Sequence, residues 1–270
     1  MTGMLIKFIK SCLTHPYVRG VDIDSSEAAV LRSGIIKEKV FLRRVYEEFY
    51  KMILQALPAG CTKLFLEIGS GGGFLKEYLT DLISSEILEI PSVDAVLDAT
   101  LLPFKKNTLG GIIMVNVFHH IPNADSFFRQ ASYCVSKGGV IVMVEPWITR
   151  WSEFIYKRLH HEPFDKNTEK WNLQEGGPLS HANSALPWIV FERDRAMFEE
   201  KYPDWKIRKI ILHTPFCYLL SGGVSMRSLM PGFLFPVIRE MDKITQKWIK
   251  SWAMFALIVI ERKDGKNIGI

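Results

Sequence analysis

Glu67 stands two residues before Gly69 in the stretch Leu66-Glu-Ile-Gly-Ser-Gly-Gly-Gly73, so an acid adjoins a bend made almost wholly of glycine. A glycine bend that ends an apolar run and opens a helix leaves backbone amides uncovered and lets a ligand approach the main chain closely. A plain structural turn would not need the strand, loop and helix order that surrounds it. The pyrophosphate-binding pattern is G-x-G-x-x-G. Counted from Gly69 its sixth position is Phe74, and counted from Gly71 it is Lys76. Glu67 would also repel a phosphate, whereas it attracts an ammonium or sulfonium. The bend therefore predicts a positively charged adenosyl ligand in preference to a dinucleotide.

Histidines supply the next candidates. His119 and His120 follow the apolar run Gly110–Phe118. Their near-neutral titration suits proton abstraction, with packing beneath a loop as the competing role. His160 and His161 lie close in sequence to Tyr156, Glu162 and Asp165, and the spacing is like that of metal ligands. No closed set can be assembled from them, so no metal is expected. The catalytic candidates are thus His119, His120, Tyr156, His160 and His161. Glu145 either orients a base or caps a buried end. Tyr46 and Tyr50 either pack in the core or close over the ligand.

These side chains need a frame. Apolar residues at helical spacing from Ser25 to Leu57 predict one or two helices, capped by Ser25 or Ser26 and open to a break at Gly34. Thr62–Ile68 reads as a buried strand, followed by a helix from Phe74 to Leu82. Further strands are expected at Leu82–Ile87, Val93–Leu97, Gly110–Phe118 and Val140–Val144, with a helix over Asp125–Val135. That alternation predicts an α/β fold, a mostly parallel sheet with helices on both faces. After Pro146 the rhythm changes. Residues 147–205 read as an inserted helical cap, with helices at Arg150–His160 and Glu192–Tyr202. Trp147, Trp151, Phe154, Trp171 and Trp188 there form either an apolar acceptor pocket or a satellite core. Ile207–His213 and Ala253–Ile260 return to the sheet, with a helix over Met241–Trp252 between them. Leu229–Val237 holds a Pro-Gly turn between apolar flanks. The expected divisions are a helical segment at 1–58, a binding core at 59–146, the cap at 147–205, completion of the sheet at 206–262 and a frayed tail at 263–270.

Composition narrows the classes. The 270 residues are 48% hydrophobic and 12% aromatic, which excludes disorder. A net charge of +5 from 34 basic and 29 acidic residues is too small and dispersed for a nucleic-acid protein, but suits an anionic substrate or weak peripheral contact with a membrane surface. Cys12, Cys61, Cys134 and Cys217 are widely separated, as free thiols in a reducing compartment would be. No apolar stretch is long enough to span a bilayer, and lysines interrupt Met4–Leu13, so a cytoplasmic location is expected, with that segment as a docking or interfacial helix.

Four ordered signals resemble the class I S-adenosylmethionine-dependent methyltransferases, within the broad group acting on small molecules, lipids or sugars. Glu67, Gly69, Gly71 and Gly73 match the first motif of that family. Glu86 is similar to the acid that binds the ribose hydroxyls, with Glu89 as its competitor. Asp98-Ala99 followed by Leu102-Pro-Phe104 resembles the adenine-binding signature, in which the aspartate accepts from the amino group. Asn116 opens a segment like the one passing beneath the cofactor, and Lys137-Gly-Gly139 before an apolar strand is also similar. The resemblance spans residues 60–146. It implies a Rossmann-like, seven-stranded open sheet, S-adenosylmethionine as cofactor, and methyl transfer to a small-molecule, sugar or lipid-like acceptor. The alternatives are a non-catalytic adenosyl-binding protein and, further off, an NAD(P)-dependent oxidoreductase.

Overall fold

The computed structural model describes residues 13–160, 162–173 and 176–264. Its seven strands are β1 (Phe65–Ile68), β2 (Leu82–Glu86), β3 (Ala95–Val96), β4 (Leu109–Val115), β5 (Val135–Pro146), β6 (Trp205–His213) and β7 (Phe255–Arg262). They form one sheet in the order β3-β2-β1-β4-β5-β7-β6. The pairs from β3 to β5 are parallel, and β7 runs antiparallel between β5 and β6. The expected open, mostly parallel α/β sheet is therefore present.

Strand alternation divides the core between two faces. Ile141 and Met143 of β5, with Ile112 and Met114 of β4, face one cluster that includes α3 (Ala124–Cys134) through Phe127, Phe128 and Ala131. Val140, Val142 and Val144 face the other, against which α2 (Val40–Ala56) lays Phe41, Leu42, Val45, Phe49 and Ile53. The strands carry apolar residues on both sides because helices cover both.

Several local expectations are corrected. Gly34 does not interrupt α1 (Ser26–Glu38), since one helical glycine costs only about 1 kcal/mol. The break falls at Lys39, which leaves helical geometry and donates its Nζ to the carbonyls of Gly223 (2.6 Å) and Met226 (2.8 Å). The helix expected at Phe74–Leu82 is a single 3-10 turn, Leu75–Glu77, because the chain must be extended again at Leu82 to pair with Phe65. The expected Glu192–Tyr202 helix is a π-helical turn, Ile189–Arg193, followed by α5 (Arg195–Lys201). Helix α4 (Arg150–Arg158) begins with Thr149 and Ser152 in a reciprocal cap. Helix α6 covers Cys217–Ser221.

Trp147, Trp151, Phe154, Trp171 and Trp188 do not gather into one pocket. Trp147 and Trp171 belong to the sheet core beside Phe191, Phe198 and Trp205, with Trp188 packed at its margin. Trp151 stacks on Phe154 and meets Trp252. Sheet burial absorbs the first group because that face would otherwise be bare between α3 and β7.

The expected Pro-Gly turn near residue 231 instead opens a nearly continuous helical run: a 3-10 turn at Gly232–Leu234, α7 (Phe235–Ile244), a second 3-10 turn at Thr245–Trp248 and α8 (Ile249–Trp252). One side is buried through Phe235 and Ile238. The other exposes Phe233, Val237, Met241, Ile244, Trp248 and Trp252, with Phe233 76% and Ile244 66% exposed. Among the described residues no helix is long and apolar enough to cross a membrane. Met4–Leu13, apart from Leu13, and Gly265–Ile270 lie outside the described residues.

Candidate functional site

A cavity of ≈ 280 Å³ opens at the carboxyl edge of the sheet, lined from the ends of β1, β2, β4 and β5 and roofed by residues of α1 and of the 218–229 segment. This is the edge at which open α/β sheets bind ligands. The glycine bend after β1 forms part of the floor. Gly69 and Gly71 have φ of +67° and +47°, in the left-handed region that side chains resist. A Cβ on Gly69 would collide with the Val117 side chain, and one on Gly72 with the Ser33 backbone in α1. Ser33 thus seats the N-terminal helix directly on the bend. A Cβ on Gly73 would come within 2.8 Å of the Tyr50 hydroxyl, which itself accepts from the Phe74 amide at 3.0 Å.

Two carboxylates border the bend. Glu67 is buried and accepts from Ser70 Oγ at 2.8 Å; burial raises its carboxyl to about 7, although that hydrogen bond opposes the rise and Glu86 adds to it. Glu86, at the end of β2, is raised by burial, while the amides of Ile87 and Gly71 counteract by donating to it. Glu89 does not line the cavity. Arg32 from α1 does, and burial lowers its guanidinium against the pull of Glu162, Asp24 and Glu86. Asn116 follows β4 with φ +58°, and its Nδ2 is buried with no hydrogen-bond partner. The Tyr46 hydroxyl is the group nearest to serving it, since the Asn116 side chain works against the rise that burial imposes on that phenol. Asp98 Oδ1 accepts from the Thr100 amide and hydroxyl, both at 2.7 Å, and Ala99 adjoins it in the lining.

A second group of polar residues lies at and behind the wall of the same cavity. Glu145, fully buried at the end of β5, accepts from the amides of Val117 and Phe118 with Oε1 and meets His119 Nδ1 with Oε2 at 2.6 Å. It therefore both caps and orients. His119 Nε2 reaches Glu162 Oε2 at 3.2 Å, and His120 Nε2 lies 3.6 Å from Glu162 Oε1. His160 Nδ1 is 3.6 Å from Glu162 Oε2. Burial alone would lower the His119 imidazole, but Glu145 and then Glu162 outweigh it and raise it to about 10. Burial would likewise raise Glu162, yet the imidazoles of His160, His119 and His120 hold it well below the usual carboxylate range.

Residues 66–143 match the family model described as a methyltransferase domain. Over that stretch the chain is similar to methyltransferase domains. No curated protein matches it in sequence. Among solved structures, geranyl diphosphate C-methyltransferase from Streptomyces coelicolor A3(2) is similar with a TM-score of 0.50 and 12% identity, over 93% of this chain and 89% of that one. At such identity the likeness is one of fold. A Thermotoga maritima S-adenosylmethionine-dependent methyltransferase is 13% identical over 81% of this chain and 89% of its own, with a TM-score of 0.48.

Glu67, Gly69, Gly71, Gly73, Glu86, Asp98, Ala99 and Asn116 all line the one cavity, and so do His119, His120, Tyr156 and His160. Tyr156 offers no proton acceptor there: its hydroxyl donates to the Met254 carbonyl at 2.5 Å, and burial raises it well above the ordinary range. His161 lies outside the described residues. Sequence reading missed Arg32, whose only signal was a lone cation inside the apolar stretch Val30–Ile36. It also missed that Glu162 joins the His119-His120 pair, a contact between residues 43 apart in the chain.

Proposed function

We propose that this enzyme transfers the methyl group of S-adenosylmethionine to a small acceptor with an apolar body, drawn from an anionic lipid surface. The observation that carries the reading is a single cavity holding the acid-flanked glycine bend, the histidine–glutamate cluster and an apolar wall of Tyr218, Leu219, Met226 and Leu229. The residues fit the cofactor. Glu67 suits its positive charge, Arg32 a carboxylate, Glu86 a pair of ribose hydroxyls, and Asp98 with Ala99 an adenine edge. When bound, S-adenosylmethionine supplies a methyl group already activated by a cationic sulfur. The chain's task is then to align the acceptor, exclude water and receive a proton where the acceptor carries one. Of the two histidines at the cavity wall only His120 is open to that last task, because His119 already holds its proton between Glu145 and Glu162.

The exposed face of residues 233–252 supports the lipid-surface half of the proposal. Its apolar side chains recur every three or four positions and end in two tryptophans; Lys247 and Lys250 accompany them, while Arg239 and Lys243 pair with Glu48 and Glu240. Such a face matches an anionic bilayer interface in both polarity and charge. The test uses methyl-labelled cofactor with lipid and aqueous extracts, with and without phosphatidylglycerol vesicles. Label is expected in the organic phase, faster with vesicles, and Ile244→Glu with Trp248→Ala should abolish co-sedimentation. Label confined to water-soluble products, with no vesicle binding, would overturn the acceptor class.

A pH dependence follows from Glu67. Its carboxyl is raised to about 7, so its contribution to stability is fully present below the ordinary value and is lost as pH rises through 7. A bound cation favours the ionised form. Affinity for S-adenosylmethionine should therefore climb through neutrality, by up to about tenfold per pH unit. Calorimetry on Glu67→Gln should show a flatter slope; identical slopes would remove Glu67 from the cofactor's surroundings.

A further inference from the structure

We propose that His119 Nε2, His120 Nε2 and the Glu162 carboxylate form a binding site for a divalent transition metal, zinc in class, with an open position toward the cavity. The ligand atoms of these three residues lie within 4.8 Å of one another. Both imidazoles are already turned for the task. His119 Nδ1 faces Glu145 Oε2 at 2.6 Å, and His120 Nδ1 faces the His181 carbonyl at 2.8 Å. A carboxylate and a carbonyl can only accept, so each ring commits its Nδ1–H outward and presents Nε2 to Glu162. That outer pairing, carboxylate or carbonyl to Nδ1 with Nε2 inward, is what orients histidine ligands in metal proteins.

Charge and access agree with the assignment. Glu145 and Glu162 are held on opposite sides of His119 and call for positive charge between them. All three ligand residues line the cavity, which leaves room for a fourth donor from a bound molecule, as in sites of two histidines and one glutamate that perform catalysis. Two imidazoles and one carboxylate suit zinc, cobalt or iron; magnesium and calcium prefer all-oxygen sets. The His119 and His120 rings, 4.3 Å apart, are adjacent on the 3-10 turn Phe118–His120, so a small inward movement of Glu162 closes the set. The open position would take an oxygen or nitrogen of the methyl acceptor; this role rests on the methyltransferase reading, whereas metal binding itself does not.

The test is titration of the chelator-treated full chain with cobalt(II), followed by visible absorption and calorimetry, alongside binding of S-adenosylhomocysteine to the same samples. One equivalent of cobalt should bind with the visible bands of a four- or five-coordinate site, and zinc should displace it. His120→Ala and Glu162→Gln should each weaken cobalt binding at least ~100-fold, since loss of an outer partner alone costs 10–100-fold. S-adenosylhomocysteine should bind within a few-fold with or without metal. No cobalt binding, or binding unchanged in both variants, would overturn the site while leaving the cofactor reading intact if S-adenosylhomocysteine still binds. Cobalt binding without any S-adenosylhomocysteine binding would overturn the cofactor reading and keep the metal site.

Discussion

Gly71→Val should weaken S-adenosylhomocysteine binding by about 100-fold, roughly 2.8 kcal/mol, while the protein stays folded. The residue has φ +47°, which a β-branched side chain tolerates poorly. Its Cβ would lie 3.4 Å from Glu86 Oε2, so the valine methyls must enter the cavity or displace that carboxylate. The Gly71 amide also donates to Glu86, and a shifted bend loses that hydrogen bond. Gly69→Val is a poorer test, because its Cβ collides with Val117 and the fold itself would suffer. Calorimetry paired with a thermal melt separates the two effects. An affinity within about threefold of the parent would show that the cofactor does not cross this bend.

His119→Ala carries the largest expected loss of stability. The side chain is buried between Glu145 and Glu162, and its removal leaves two carboxylates without their shared partner. Breaking a buried pair in this way costs about 3–5 kcal/mol. For a chain of this size that corresponds to a fall in Tm of roughly 10 °C. Methyl transfer should drop about 100-fold in the fraction that remains folded, because His120 and Glu162 lose the charged ring that positions them. Affinity for S-adenosylhomocysteine should change little, since the glycine bend is held separately by Tyr50 and Ser33. A Tm within about 2 °C of the parent and full activity would contradict both roles.

The parts of this molecule that could be read from the sequence are those governed by short-range pattern. The apolar runs of β1, β4, β5 and β7 announce buried strands because both sheet faces are covered, and the Glu67–Gly73 bend carries its own chemistry in consecutive residues. The sequence favoured Glu86 with Glu89 as its competitor, and the end of β2 determines which one turns toward the bend. What remained hidden depends on contacts between distant residues. Nothing near Glu162 signals that it will meet His119, and nothing in the spacing of Trp147, Trp171 and Trp188 distinguishes a pocket wall from sheet core. Arg32 was equally silent, because a cation in a helix is usually solvated, and here α1 lies across the cavity instead.

The roof over the cavity is stitched from its N-terminal side. Asp24 Oδ1 accepts from the amides of Leu179 and Ser180, and Lys39 holds the carbonyls of Gly223 and Met226. None of these bonds belongs to a strand, so heating can loosen residues 24–39, 177–180 and 222–226 together while the seven-stranded slab persists. The empty protein should thus melt in two stages, and a ligand touching floor and roof merges them into one, by mass action on the closed form. Removing α1 with its Asp24 and Lys39 anchors would spare all seven strands and still strip half the roof from the cavity.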